Sequence, residues 1–351
     1  MKKRNILIGL FTGACLIAIT ATFFAYQLFY TPNLLVEKNE KGVLYIPQGA
    51  GIFQVLDSLE KYDYVQEARY FMFVAKLLKY NENVKAGRYE LRPNLTNLEA
   101  VRLLRLGSQA PVSLTFNNIR LKRELADKLC RNIDANPSEF DSLIYSPAFC
   151  AELGFDTTTI TTMFIPNTYQ LYWNTNAEQL LHRMKKEYDK FWNEERLTLA
   201  EAIEMTPIQV SILASIVEAE TKLNAEKPTV AGVYINRLNR NMLLGADPTV
   251  VFAVGDFSLR RVLNVHLEYD SPYNTYKYSG LPPGPINVPE ISSIEAVLNY
   301  ERHKYLYFCA KEDFSGYHAF AKTLSEHNRN AAKYRNALSK RLREEKKAEA
   351  M

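Results

Sequence analysis

The segment Thr206-Pro-Ile-Gln-Val-Ser-Ile-Leu-Ala-Ser-Ile-Val-Glu218-Ala-Glu220-Thr221 constrains the fold more than any other. Thr206 fits an N-cap, Pro207 the first helical position, and Gln209 completes a capping box. From Pro207 to Val217 the helix carries no charge and is mostly apolar. Such a helix is buried, so the rest of its domain has to be built around it. Two carboxyls stand at its end. Burial raises a carboxyl's pKa, as a general acid near neutral pH requires, and cleaving a glycosidic bond needs such an acid.

Helical geometry separates the two glutamates. Residues two apart lie about 200° from each other, so Glu218 and Glu220 are not expected to face one substrate. Glu218 shares a stripe with Ser211, Ala214 and Ser215, small residues that suit a crevice wall or close packing. Glu220 shares one with Leu213 and Ile216 and is expected to end the helix in a salt bridge or hydrogen bond. On the helix alone, the reading in which both merely terminate a core helix stays open.

The chain's start is the next signal. Lys2, Lys3 and Arg4 precede an uncharged segment whose strongly apolar part runs from Ile6 to about Tyr30. That is about 25 residues, enough to cross a hydrocarbon core as a helix. The basic cluster before it predicts a cytoplasmic N-terminus. The run exceeds the core of a cleaved signal peptide, and Thr12-Gly-Ala before Cys15 lacks a lipoprotein signal's aliphatic residue, so an uncleaved single-pass anchor is expected.

The 351 residues, 47% hydrophobic and 23% charged, allow about two domains with proper cores. A net charge of +4 is too weak to argue for nucleic acid. Five histidines without metal-ligand spacing and no Cys-x-x-Cys argue against a metal site. Cys130 and Cys150 bracket a short helical region, and a disulfide between them stays open. There is no Gly-x-Ser-x-Gly elbow, His-Glu-x-x-His, Walker loop or dinucleotide fingerprint, and no cofactor is expected.

From 43 to 111 the pattern reads strand, helix, helix, strand, helix, the last closed by Gly107. Such a module is either a binding element or a spacer. A strand at Val112, a helix around 121–131 and a polar, Thr-rich stretch to Trp173 follow, then charged amphipathic helices to Ile203. Beyond Glu218 come a second helix through Asn236-Arg237 and then Asp247-Pro248, whose N-cap and first-turn look gives that aspartate a purely structural reading. Ser271-Pro-Tyr273-Asn274-Thr275-Tyr276 and Gly280-Leu281-Pro-Pro-Gly-Pro-Ile286 predict a rigid, non-repetitive loop able to hold a sugar or to serve as a passive turn. A helix from Ser292, a strand at Tyr305 and a charged tail complete the chain.

Leu213-Ala-Ser-Ile-Val-Glu218-Ala-Glu-Thr221, Tyr234-Ile-Asn-Arg-Leu238, Asp247-Pro-Thr-Val250, Ser271-Pro-Tyr-Asn-Thr-Tyr276, Gly280-Leu-Pro-Pro-Gly-Pro-Ile286 and Glu326-His327 occur in the order of the endolytic murein transglycosylases (MltG or YceG-like), which the whole chain resembles. The resemblance implies an α+β protein: a membrane anchor (1–30), a linker (31–42), a small lysin-motif-like α+β module (43–111), an intermediate segment (112–175), a larger α+β catalytic domain (176–335) and a charged tail (336–351). It implies lytic cleavage between N-acetylmuramic acid and N-acetylglucosamine, with Glu218 as acid and base and a 1,6-anhydro product. It assigns Asn236, Arg237, Asp247, Tyr273, Asn274, Thr275, Tyr276 and Leu281 as substrate contacts or site supports. Implied partners are peptidoglycan glycan strands, the cytoplasmic (inner) membrane and cell-wall synthases, with the catalytic domain outside the cytoplasm. Three departures stand out: Ala246 for a hydroxyl residue, Asn287-Val-Pro-Glu290 for a small residue with Asn-Pro-Gly, and Asn117-Asn-Ile-Arg120 for a Glu-Gly turn. The last lies far from Glu218 in sequence and is expected to affect the middle segment rather than the chemistry.

Overall fold

The computed structural model describes residues 2–36, 42–259 and 261–349. Part of the expected linker, 37–41, and the last two residues of the tail lie outside the described residues. The chain divides into two units: 1–114 with 132–135 and 169–176, and 115–131 with 136–168 and 177–351. Residues expected as an intermediate segment are therefore shared between the two.

The first unit begins with α1 (Lys2–Tyr30), whose stretch Arg4–Tyr30 is long and apolar enough to fit a single-pass membrane anchor. Then come β1 (Pro32–Leu34), β2 (Gly42–Ile46), α2 (Ile52–Lys61), α3 (Ala68–Leu77), β3 (Gly87–Leu91), β4 (Leu95–Thr96) and α4 (Asn97–Leu106). β2 and β3 pair antiparallel, Leu44 opposite Tyr89 and Ile46 opposite Gly87, so alternate side chains reach one core. Leu44, Ile46, Leu59, Phe71, Tyr89 and Leu104 are buried there. Thr96 and Glu99 form a capping box at the start of α4, and Gly107 ends it at φ +74°, a conformation that costs glycine nothing. A buried asparagine pair ties the exit of α1 to this unit. Asn33 Nδ2 donates to Asn97 Oδ1 at 2.6 Å, and Asn97 Nδ2 donates to the Leu28 carbonyl at 3.0 Å. β5 (Val112–Thr115) follows, paired with a later strand, β6 (Thr168–Leu171).

The second unit holds α5 (Glu124–Leu129), α6 (Pro137–Ile144), α7 (Pro147–Glu152), α8 (Ala177–Phe191), α9 (Glu194–Ala202), α10 (Pro207–Glu220), α11 (Lys227–Leu238), α12 (Asp247–Val254), α13 (Asn264–Leu267) and α14 (Ile291–Leu298). An antiparallel hairpin, β7 (Tyr307–Ala310) and β8 (His318–Ala321), and α15 (Leu324–Glu349) close it. The fold is thus mixed α and β, as expected. Cys130 and Cys150 are separate buried thiols, and the Cys150 thiol donates to the Ile144 carbonyl at 3.2 Å. Burial pushes the Cys130 thiol up to about 11.

α10 is the axis of the second unit. Every residue from Val210 to Glu218 is buried, and the helix packs against α9, α11, α12 and α14. Its capping box forms as the sequence predicts: Thr206 Oγ1 accepts from the Gln209 amide at 3.2 Å, and Gln209 Oε1 accepts from the Thr206 amide at 2.8 Å. The small stripe is used for packing. Ser215 Oγ accepts from the Ile286 amide at 3.0 Å, and the Ser215 carbonyl accepts from Asn287 Nδ2 at 2.8 Å, fixing the 286–287 loop to the helix.

α11 is seated by a close approach. A Cβ at Gly232 would lie 2.4 Å from the Glu301 carbonyl oxygen and 2.7 Å from His303 Nε2. His303 Nε2 also bonds the Thr229 carbonyl at 2.9 Å, so the neighbour is held in place. Gly232→Ala is therefore expected to cost about 1–3 kcal/mol, the usual overpacking penalty. Denaturant unfolding of the two proteins side by side measures it.

Candidate active site

The last turn of α10 presents carboxyl groups to a cleft of about 980 Å³. Glu218, Glu220 and Asp247 line it together with Arg120, Lys222 and Arg261. The separation expected of Glu218 and Glu220 does not keep either from this cleft. Glu220 is the final helical residue and Thr221 leaves in extended conformation (φ −141°, ψ 139°), so the cleft meets the end of the helix rather than one face of it.

The two carboxyls have different surroundings. Glu218 Oε2 accepts from Lys227 Nζ at 3.2 Å and from the Ser293 hydroxyl in a short bond. Lys227 also donates to Ser292 Oγ at 3.0 Å. The Lys227 and Glu218 side chains are 3% and 11% exposed, so this is a buried ion pair. Among the described residues Glu218 Oε1 has no hydrogen-bonding partner. Lys227 reaches its place because α11 is fixed at its start: buried Glu226 takes the His318 amide and His318 Nδ1, both at 2.7 Å.

Glu220 has no lysine. Its Oε1 accepts the Tyr234 hydroxyl at 2.6 Å. Burial pushes its carboxyl up to about 7 and the Asp247 charge adds to this, while the Tyr234 bond and Arg237 act the other way. The negative end of the α10 dipole also disfavours a charge there. Asp247 is bonded by the Tyr276 hydroxyl at 2.6 Å. It does not cap α12: Ala246 is the N-cap, without a side-chain bond, leaving the carboxylate facing the cleft.

The remaining residues singled out in the sequence divide clearly. Asn236 donates to the His303 and Tyr305 carbonyls, at 2.9 and 3.0 Å, and Arg237 Nε donates to the Leu306 carbonyl at 2.6 Å. Neither lines the cleft. Asn274 is buried, donating to the Leu267 and Tyr269 carbonyls at 2.9 and 2.8 Å. Thr275 is buried against Ala246 and Thr249, its Oγ1 taking the Ala246 amide at 3.0 Å. Tyr273 packs on Phe252, which lines the cleft, with ring centroids 4.7 Å apart. Burial pushes the Tyr273 hydroxyl up to about 12. Leu281 is half-buried away from the cleft lining.

Sequence reasoning missed Lys227, Ser293 and the segment 118–124. Lys227 had one signal, a cation at the positive N-terminus of a helix, where it is locally unfavourable. Ser293 had none. Asn118, Ile119, Arg120 and Glu124 line the cleft, and the Ile119 carbonyl accepts the Val288 amide at 2.8 Å. The Asn117–Arg120 departure therefore bears on the site itself, contrary to expectation. So does the Asn287–Glu290 departure, since Asn287, Val288 and Glu290 also line the cleft. Among the described residues no His, Cys, Asp or Glu group is arranged to hold a metal ion.

The family model of the YceG-like family matches residues 44–333. The chain belongs to the YceG-like family. It is 27% identical over 349 residues to a Streptococcus pneumoniae protein (strain D39) named endolytic murein transglycosylase, covering 90% of this chain and 62% of that one. It is 29% identical over 335 residues to a protein of the same name from Bacillus subtilis strain 168, covering 87% of this chain and 89% of that one. The crystal structure of a putative yceG-like protein from Listeria monocytogenes aligns with a TM-score of 0.54 at 31% identity, over 83% of this chain and 98% of that one. The chain spans less than two thirds of the length of the pneumococcal relative.

Two outcomes follow for stability. Lys227→Met leaves Glu218 buried without its cation and is expected to cost about 3 kcal/mol, whereas in a Glu218→Gln background it costs far less. A double-mutant cycle by denaturant unfolding gives the difference. Glu220 holds its proton to about pH 7 when folded, against an ordinary 4.5, so its stabilising contribution is lost as pH rises between those values. Glu220→Gln, which cannot ionise, should therefore raise the melting temperature relative to wild type at pH 8 but not at pH 4.

Proposed function

We propose that this protein is a membrane-anchored endolytic murein transglycosylase, cleaving the bond between N-acetylmuramic acid and N-acetylglucosamine in peptidoglycan glycan strands. The observation that carries the proposal is Glu218 at a cleft, with one oxygen held by Lys227 and Ser293 and the other without a protein partner. The names of the relatives agree with it.

Glu218 gives a proton from Oε1 to the glycosidic oxygen, and the bond to C1 breaks. Lys227 and Ser293 stabilise the carboxylate this leaves, which favours the transfer. Oε1 then takes the proton of the muramic acid's own C6 hydroxyl as that oxygen closes on C1. The product carries a 1,6-anhydro ring, and the glutamic acid is regenerated. The nucleophile is internal, so holding it in place counts for more than activating water. Asn287 lines the cleft and is held there by its Nδ2, which donates to the Ser215 carbonyl at 2.8 Å. Tyr276 and Asp247 support that lining, and the Tyr273–Ile286 loop braces it through Phe252 and Ser215.

A muramidase using water would need a second carboxylate. Asp247 lines the cleft, which favours that reading, whereas Asp270 does not and is bonded by Tyr278 at 2.7 Å. The basic residues Lys2, Lys3 and Arg4 at the start of α1 support a cytoplasmic N-terminus, with the rest of the chain beyond the membrane. The β–α–α–β order of 43–91 supports a lysin-motif-like binding module.

The test is mass spectrometry of purified glycan strands incubated with the full-length chain in detergent. Wild type is expected to yield internal fragments with 1,6-anhydro ends. Glu218→Gln should lose at least about 100-fold of that activity, as expected of a general acid–base group. Reducing ends from wild type would instead establish hydrolysis.

A further inference from the structure

We propose that Glu220 is a substrate-positioning residue, which meets the glycan as a neutral hydrogen-bond donor while Glu218 alone moves protons. The inference rests on the reading of Glu218 given above and adds a second carboxyl with a different task.

Four features support it. Glu220 lines the same cleft as Glu218, although it lies two residues further along α10. Its Oε1 is occupied by the Tyr234 hydroxyl at 2.6 Å. That hydroxyl comes from the buried middle of α11, so the carboxyl's orientation is fixed. Among the described residues Oε2 has no partner, and it is the oxygen left to carry the carboxyl's own proton. A protonated carboxyl held by one oxygen presents one O–H to whatever occupies the cleft.

The surrounding charges decide which form the group takes. Asp247, on α12, repels the ionised form, and Arg237, on α11, favours it. Tyr234, from α11, donates to the carboxyl, and Tyr276, from the 271–276 loop, donates to Asp247 and not to Glu220. Glu218 and Lys222 line the same cleft, and the lysine that neutralises Glu218 has no counterpart bonded to Glu220. With burial the largest effect, the proton is retained up to about pH 7. Two carboxyls whose surroundings differ in this way take different roles in one site.

The ligand is an acceptor oxygen of the sugar. The acetamido carbonyl is the strongest neutral acceptor that either sugar of the strand offers, and a neutral O–H meets it without placing an unpaired charge in the cleft. An ionised Glu220 would accept rather than donate and would repel that oxygen.

The experiment measures kcat/KM for release of 1,6-anhydro ends across pH 5 to 9 with the full-length chain and its Glu220→Gln and Glu220→Ala variants, thermal unfolding being recorded for each. An amide keeps both features of the protonated carboxyl, an acceptor for Tyr234 and a donor for the sugar. Any limb set by Glu218 is common to both proteins, so the expected result is a ratio of Glu220→Gln to wild-type kcat/KM that rises above about pH 7, the variant exceeding wild type at pH 8, and a Glu220→Ala value about tenfold below wild type at pH 6, the loss of one neutral hydrogen bond. A ratio that does not rise with pH overturns the inference, as does Glu220→Gln being as inactive as Glu218→Gln, which would make Glu220 a proton-transfer group. Loss of 1,6-anhydro product from wild type itself would overturn the transglycosylase reading, and this inference with it.

Discussion

The buried pair between Glu218 and Lys227 is the interaction on which the second unit depends. Removing two charges from water costs several kcal/mol each, which the pair offsets only with close geometry and further hydrogen bonds. Three separate stretches supply what it needs: α10 the carboxylate, the start of α11 the ammonium, and α14 the Ser293 hydroxyl. Each stretch is therefore fixed by something else. Ser215 binds the loop before α14, Gly232 lets α11 approach the 301–303 backbone, and Glu226 clasps the His318 hairpin. These contacts look unrelated along the chain, yet they converge on the position of one carboxylate oxygen.

Local rules made α10 legible. Its capping box, its uncharged body and its terminal carboxyls are each decided within a few residues, and the helix forms with the bounds they imply. The alternation of β2, the glycine stop of α4 and the apolar α1 were legible for the same reason. Partners decided by tertiary approach were not. Lys227 lies nine residues from Glu218 but Ser293 lies 75 away, and a serine in Ile-Ser-Ser carries no mark of its task. Asn236, Arg237 and Asn274 look like sugar ligands by residue type. They are instead spent on backbone carbonyls that irregular loops leave unpaired, a demand that residue type alone does not reveal. The segment 118–124 was misjudged because distance along the chain stood in for distance in space, which the single bond from Val288 to Ile119 abolishes.

Glu218 and Glu220 show how one helix end can supply two kinds of carboxyl. A helix C-terminus is an unfavourable place for negative charge, because the last carbonyls already carry a partial one. Each glutamate meets that penalty in a different way. Glu218 turns towards Lys227 and Ser293, which hydrogen-bond one of its oxygens although the side chain is buried. Glu220 meets only a tyrosine hydroxyl and feels Asp247 beyond it, so the cheaper solution is to stay neutral. The separation of about 200° that puts two such residues on different faces of a helix is what gives them different neighbours. Ending the helix at Glu220 is what returns them to one cleft. A continued helix would have carried the cleft along a single face and left one carboxyl behind. The break at Thr221 thus does the work that a second element would otherwise have to do, bringing two carboxyls with different neighbours to one cavity from a single turn of backbone.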